Sequence, residues 1–198
     1  YSPSTNGDFQ DLSGTPAPWV IGEPQTGIPQ RLELIGAGAD VCIANPEVDH
    51  SVLSFWCRVL FTAAGTKISG FTFTNPLQAG GRWNTVWRLG STTSTHTIQD
   101  VEICNCIFDT VPRAYVSFGE SFGIKFHDNL VINSSDGVAP TNFGTAGGDL
   151  AFIYNNTFMN LTRSAVEILR DLATGPCQVY LWNNNFVNVA QTTVWWDP

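Results

Sequence analysis

The sequence predicts an all-β protein, folded as a single right-handed parallel β-helix (solenoid) of about seven coils. Three features predict this fold: a repeated motif, apolar side chains at alternate positions, and a small polar residue between the two halves of each motif. The motif reads apolar-x-Asn-x-x-apolar-x-Asn, with Gly70 or Asp128 in the first Asn position and Thr110 in the second of single copies, and its copies begin at Ile68, Ile103, Phe126, Ile153 and Leu181. The intervals of 35, 23, 27 and 28 residues are typical of a solenoid whose coils carry loops of different length.

Alternate apolar residues predict that each motif begins with a strand that buries one face. Val101 and Ile103 show this alternation, and the later copies repeat it. Asn, Asp or Gly between two short strands suits a bend with positive φ, which these residues tolerate best. If the coils stack in register, the side-chain amides stack too, and each can bond the one above it. The predicted structural ladder comprises Asn105, Asp128, Asn155, Asn183, Asn133, Asn160 and Asn188.

The copy at Ile68–Asn75 and the later Asn-Asn-x-Phe copies resemble coils of the pectate-lyase-like superfamily of right-handed parallel β-helices. The resemblance covers roughly residues 31–198 and implies the fold of that superfamily. It does not imply one function, because the same coil serves lyases, hydrolases, phage tailspikes and adhesins.

The length of the chain favours one domain. Residues 1–30 hold five of the eleven prolines and little periodicity, so we predict an irregular N-terminal cap or linker there and the β-helix over 31–198. The alternative is that earlier coils have been cut away. We interpret Tyr1 as a processed or truncated start, since neither an initiator Met nor a signal peptide precedes it.

Residues 164–173 carry conflicting signals. Ser164 as an N-cap, Glu167 three residues later and Gly175 at the end favour a short helix. The repeat instead places Ala165–Ile168 at the third strand of a coil. We predict a strand, because stacking in a solenoid overrides local propensity.

Composition limits the partners. The net charge of −8 argues against a nucleic-acid partner, which requires a basic surface, and disfavours wrapping an acidic polysaccharide without bound cations. No apolar run is long enough for a membrane span.

The five cysteines form no Cys-x-x-Cys pair, and the three histidines lie in different coils or loops, so we predict no metal site. An odd number of cysteines in a secreted protein leaves one free or intermolecular. Asn133, Asn155 and Asn160 lie in glycosylation sequons, although chance explains sequons equally well in so Asn-rich a chain.

Alternation also predicts which side chains point outward from the first strand of each coil. The early coils are polar there, and Glu102 is expected to pair with Lys125 across adjacent coils. The last two coils instead place four aromatic residues outward: Phe152, Tyr154, Tyr180 and Trp182. Three interpretations remain open: loops or a C-terminal tail cover this stripe, it contacts a protein, or it forms a platform for sugar rings.

The third strand of each coil is where a catalytic groove would lie if the resemblance extended to lyases, with an Arg or Lys as base and carboxylates holding calcium. The predicted outward column comprises Arg88, Ser117, Ala139, Glu167 and Trp195. In this alternative the residues to test are Arg88, Glu167 and Arg170. The tight acidic cluster that calcium requires is not evident, so no cofactor is expected, and calcium belongs only to the lyase alternative.

We therefore expect an extracellular or cell- or virion-surface module with a structural or adhesive role. It is expected to self-associate as a trimer or filament, because the C-terminal coil shows no polar cap. Contact with a partner or a polysaccharide is assigned to Phe152, Tyr154, Tyr180, Trp182 and Trp195. The alternative is a polysaccharide lyase or glycoside hydrolase acting on acidic glycans, and we favour a non-catalytic protein.

Overall fold

The structure is a computed structural model. It describes residues 19–21, 33–38, 43–44, 57–61, 65–74, 85–89, 98–117, 121–140, 149–169 and 177–197. In these ranges every regular element is a β-strand, and all the strand pairs are parallel. The predicted all-β parallel β-helix is confirmed.

Within the described ranges, twenty strands form three parallel sheets, and successive coils stack equivalent strands in each sheet. Sheet 1 contains β2 (Glu33–Ile35), β5 (Lys67–Ser69), β9 (Glu102–Cys104), β12 (Ser121–His127), β15 (Asp149–Tyr154) and β18 (Cys177–Trp182), with β8 (Ile98–Gln99) beside the start of β12. Sheet 2 contains β3 (Ile43–Ala44), β6 (Thr72–Thr74), β10 (Ile107–Asp109), β13 (Leu130–Ile132), β16 (Thr157–Leu161) and β19 (Asn185–Val189). Sheet 3 contains β1 (Trp19–Ile21), β4 (Cys57–Phe61), β7 (Thr85–Leu89), β11 (Tyr115–Ser117), β14 (Val138–Ala139), β17 (Val166–Leu169) and β20 (Val194–Asp197).

The strands bear on two segments discussed above: the predicted N-terminal cap and the ambiguous segment 164–173. The strand β1 pairs with β4, Trp19 opposite Val59, so sheet 3 begins inside the segment that the sequence predicts as an irregular cap. The rest of residues 1–30 lies outside the described residues. The ambiguous segment forms strand β17 over Val166–Leu169, as the repeat predicts, and residues 170–173 lie outside the description.

The interior is lined by the two apolar positions of the motif. In sheet 1, Ile68, Ile103, Phe126 and Ile153 align in register and are fully buried. In sheet 2 the inward column is largely aromatic, and rings on adjacent coils stack along it. A shift of one residue in the strand register would turn each of these side chains to the surface, so the apolar columns determine the register.

The bends between the sheets are as the sequence predicts. Residues of the first bend have positive φ: Gly70 at 78°, Asn105 at 52°, Asp128 at 55°, Asn155 at 56° and Asn183 at 52°. The second bend has the same conformation at Thr110, Asn133, Asn160 and Asn188.

Five of the seven predicted ladder residues form side-chain ladders, whereas Asp128 contacts His127. Asn183 Nδ2 donates to Asn155 Oδ1 at 2.7 Å in the first column. In the second, Asn188 Nδ2 donates to Asn160 Oδ1 at 3.0 Å, and Asn160 Nδ2 donates to Asn133 Oδ1 at 3.2 Å.

A further ladder lies one residue after the first bend, where the sequence reasoning did not place it. Asn129 Nδ2 donates to Asn156 Oδ1 at 3.2 Å, and Asn156 Nδ2 donates to Asn184 Oδ1 at 3.0 Å. Each of these amides also accepts a backbone N–H group at 3.0 Å: Asn129 Oδ1 accepts that of Cys106, Asn156 Oδ1 that of Asn129, and Asn184 Oδ1 that of Asn156. Because Asn129 and Asn156 are buried, these amides satisfy backbone groups that water does not reach.

We expect Asn156→Ala to lower the free energy of unfolding by about 2–3 kcal/mol, because it leaves the buried N–H of Asn129 without an acceptor. Chemical denaturation measures the change. Asn155→Gly is the matched control: this neighbour is exposed and Gly accepts its positive φ, so we expect a loss of about 1 kcal/mol or less. Equal losses in the two variants would contradict a stabilising role for the buried ladder.

Thr110 is the one β-branched residue among the described bends with positive φ, at 57°. Such a backbone costs a β-branched residue more than it costs Asn. We expect Thr110→Asn to raise the free energy of unfolding by about 1 kcal/mol. Thr162→Asn is the control, since Thr162 is exposed and is not among the residues with positive φ. A gain in Thr162→Asn as large as that in Thr110→Asn would contradict this explanation.

Candidate functional site

Four of the five predicted contact residues lie together on the outer surface of sheet 1. Phe152 pairs in register with Tyr180, and Tyr154 pairs with Trp182, so the four side chains occupy two columns on two adjacent coils. We call these four residues the aromatic face. Tyr180 is 50% exposed and Trp182 is 46% exposed, whereas Phe152 and Tyr154 are half-buried. The fifth residue, Trp195, lies in sheet 3 opposite Glu167 and is not part of this face.

The rings of the aromatic face stack along the axis of the solenoid. The centroids of Tyr154 and Trp182 lie 4.3 Å apart at an interplanar angle of 7°, and those of Phe152 and Tyr180 lie 5.5 Å apart at 15°. The ring of His127 continues the first stack, 4.6 Å from Tyr154 at 4°. Rings this close and this parallel lie face to face, so ring edges rather than faces point outward along most of the stripe.

A third column extends this surface toward the start of the strands. Phe122 pairs with Leu150, which pairs with Gln178. Sequence reasoning missed Phe122, because the register shifts by one residue between Phe122 and Ile124 and interrupts the alternation. The sequence feature that indicates this shift is Gly123, whose φ of 75° lies in the region that favours glycine.

The polar half of the same surface carries a compact cluster, which we call the polar cluster: Lys67, Glu102, Cys104, His127 and Asp128. Glu102 Oε1 lies 2.8 Å from Lys67 Nζ, 3.3 Å from His127 Nε2 and 3.5 Å from Cys104 Sγ. His127 Nδ1 lies 2.7 Å from Asp128 Oδ2. Glu102 is in register with Lys125 as predicted, but it forms an ion pair with Lys67 on the preceding coil.

These contacts set the protonation of the cluster. The hydrogen bond from Lys67 lowers the pKa of Glu102, and the same bond raises the pKa of Lys67. Burial raises the pKa of the Cys104 thiol to about 11, so the sulfur carries its proton near neutral pH. Glu102, Cys104 and His127 each offer one ligand-type atom, and all three atoms lie within 4.8 Å of one another.

The outer column of sheet 3 differs from the predicted one at a single position. Val116, not Ser117, pairs with Arg88 and with Ala139. The spacing from the second bend indicates this register in the sequence, because Val116 follows Thr110 by six residues, as Ala139 follows Asn133. The side chains of Arg88 and Arg170 lie outside the described residues.

Glu167 is fully buried within an ion network. Arg113 Nη2 donates to Glu167 Oε2, and Arg163 Nη2 donates to Glu167 Oε1 at 3.1 Å. Arg113 Nη2 also lies 3.2 Å from Asp136 Oδ2, and Arg163 Nη1 lies 3.5 Å from the same oxygen. Two arginines thus hold both oxygens of the one carboxylate that the lyase alternative places in its column, which gives Glu167 a structural role.

We expect Glu167→Gln to lower the free energy of unfolding by about 3 kcal/mol, because it leaves the buried charge of Arg113 poorly compensated. Denaturant titration measures this loss. Glu102→Gln is the control: it breaks a partly exposed ion pair with Lys67, for which we expect about 1 kcal/mol or less. A Glu167→Gln variant as stable as the wild type would show that the network does not stabilise the fold.

The three asparagines of the glycosylation sequons also have a structural role. Asn133, Asn155 and Asn160 are exposed, and each takes part in a side-chain ladder. Their glycosylation stays a prediction.

Within the described ranges, no helix has the length and apolar character needed to cross a membrane. Comparison with protein-family models, with curated proteins and with solved structures gave no match.

Proposed function

We propose that the protein is a structural or adhesive β-helix module that binds polysaccharide through the aromatic face. The observation that carries the proposal is the pairing of Tyr180 with Phe152 and of Trp182 with Tyr154 on one side of sheet 1, with half of the Tyr180 surface exposed to solvent. Large apolar side chains this exposed are a common feature of contact surfaces.

The size of the surface favours a glycan over a protein. Outward residues on one strand lie about 7 Å apart, and neighbouring coils lie about 4.8 Å apart. Three columns over three coils therefore extend about 13 by 10 Å between Cα atoms. Even with side chains added, this is far below the roughly 800 Å² per partner that a stable protein interface buries.

The chemistry of the surface also suits a sugar. Tyr and Trp combine an apolar body with a hydrogen-bonding edge, and a sugar ring combines an apolar C–H surface with hydroxyl groups. Around the aromatic face lie Lys125, His127 and Gln178, which supply further donors and acceptors. The net charge of −8 favours a neutral glycan over an acidic one.

The test is binding of the labelled protein to a glycan array, followed by calorimetry with the best neutral oligosaccharide. We expect the double variant Tyr180→Ala/Trp182→Ala to weaken binding about tenfold or more, because it removes the two most exposed rings of the face. Trp182→Phe keeps an apolar ring and should lose less.

The matched control is Val187→Ala, which removes an exposed apolar side chain of the same coil from sheet 2. It should bind as the wild type does. Equal binding by the double variant and the wild type, or binding to no glycan, would contradict the proposal.

A second candidate function is self-association, and one observation favours it. The inward residues Leu181 and Phe186 of the last described coil are half-buried, whereas their counterparts Ile153 and Phe158 are fully buried. A second copy stacked on this coil would cover them, and so would an adjoining stretch of chain. Sedimentation of the intact protein distinguishes these cases: a monomer at every concentration removes self-association and leaves glycan binding untouched.

A further inference from the structure

We propose that Glu102, Cys104 and His127 form a binding site for a divalent transition metal of the zinc class, with Asp128 orienting the histidine. The three residues come from two adjacent coils, with Cys104 opposite His127 in sheet 1. Their separation of up to 25 residues in sequence conceals this arrangement, which explains why the spacing of Cys and His residues predicts no metal site.

Two of the three distances between ligand atoms fit tetrahedral coordination. Zinc binds His nitrogen and carboxylate oxygen at about 2.0–2.2 Å and Cys sulfur at about 2.3 Å, so ligand atoms of a tetrahedral site lie about 3.3–3.6 Å apart. The observed separations are 3.3 Å between Glu102 Oε1 and His127 Nε2, and 3.5 Å between Glu102 Oε1 and Cys104 Sγ. The third separation, between sulfur and imidazole, is within 4.8 Å.

The second observation is the contact on the other side of the imidazole. His127 Nδ1 lies 2.7 Å from Asp128 Oδ2, and Nε2 is the nitrogen that lies beside Glu102. A carboxylate that accepts a hydrogen bond from Nδ1–H fixes the tautomer in which Nε2 binds metal. The ring is also held by its stack on Tyr154, 4.6 Å away. The imidazole is therefore positioned before any metal binds.

The ligand types favour zinc over calcium or magnesium, since one thiolate and one imidazole suit a borderline metal and leave a hard cation too few oxygens. On binding, the thiol of Cys104 becomes a thiolate and its proton passes to solvent. The ammonium of Lys67, 2.8 Å from Glu102 Oε1, must then move away. Its long, partly exposed side chain permits this movement. Three protein ligands leave a fourth position for water, as in catalytic zinc sites.

The test is calorimetric titration of the metal-free full-length protein with Zn²⁺, together with absorption spectra of the Co²⁺ complex. We expect one equivalent of Zn²⁺ to bind and the Co²⁺ complex to show a sulfur-to-metal charge-transfer band. Cys104→Ser should remove the band and weaken Zn²⁺ binding by tenfold or more. His127→Phe keeps the stack on Tyr154 and should weaken binding to a similar degree.

Two variants separate the site from general effects on the fold. Cys106→Ser changes a second buried cysteine of the same coil, whose sulfur donates to the Cys104 carbonyl and lies among the core residues, so binding should be unchanged. Asp128→Asn preserves the positive φ of the bend and should weaken binding by about 10-fold or more.

Failure to bind Zn²⁺ in a stoichiometric ratio would overturn the proposal. So would a Co²⁺ complex of the wild type without the sulfur band, or equal losses in Cys104→Ser and Cys106→Ser. Circular dichroism of each variant confirms that it is folded before the comparison is made. These outcomes do not depend on whether the aromatic face binds a glycan.

Discussion

The left-handed bend between sheets 1 and 2 is the constraint on which the rest of the structure depends. The same conformation recurs from Gly70 to Asn183, with φ between 52° and 78°. Because the bend is the same in each coil, the strands on both sides start at equivalent positions and stack in register. The buried amides of Asn129 and Asn156 then hold adjacent bends together by accepting the backbone N–H of the coil before. The alternation of inward and outward side chains, and so both outer surfaces, follows from this register.

What could be predicted from the sequence is what depends on local rules. The inward columns follow from the two-residue period of a strand. The positive-φ positions follow from the tolerance of Asn for the left-handed backbone conformation. The contacts of the exposed ladders could also be predicted, because the stacking of equivalent residues is enough to bring Asn155 and Asn183 together. The buried ladder was missed although both asparagines of each pair are visible in the motif, since the pattern alone does not show which of the two points inward.

The remaining differences come from insertions and from contacts between distant coils. Two residues illustrate this. The alternation fails at Gly123, where one extra residue shifts the register and adds Phe122 to the outer surface. Alternation places Glu167 outward, but its burial depends on Arg113, which lies two coils away and 54 residues earlier in the chain. A repeat motif carries no information about a contact between such unlike positions.

Glycosylation of the sequons would modify the same side-chain amides that form the exposed ladders. Asn160 uses Nδ2 to donate to Asn133 Oδ1, and Asn133 uses Nδ2 to donate to Asp109 Oδ1. A glycan attached at Nδ2 would replace one of the two hydrogens of that nitrogen and would place its bulk against the neighbouring coil. Asn155 contributes its Oδ1 to the ladder by accepting from Asn183, so a glycan there conflicts less directly with the observed bond.

The charged groups on the outer sides of sheets 1 and 3 differ in burial. On sheet 3, Arg113 and Glu167 are fully buried and bonded to each other, an arrangement in which loss of either partner is costly. On sheet 1, Lys67 and Glu102 remain partly exposed, so their pair is weaker and can rearrange when a ligand arrives. The same sheet carries the exposed rings, and His127 joins its polar and aromatic halves through the stack on Tyr154. This contrast supports the proposal that ligands bind on sheet 1, where solvent reaches the side chains, and that the network on sheet 3 has a structural role.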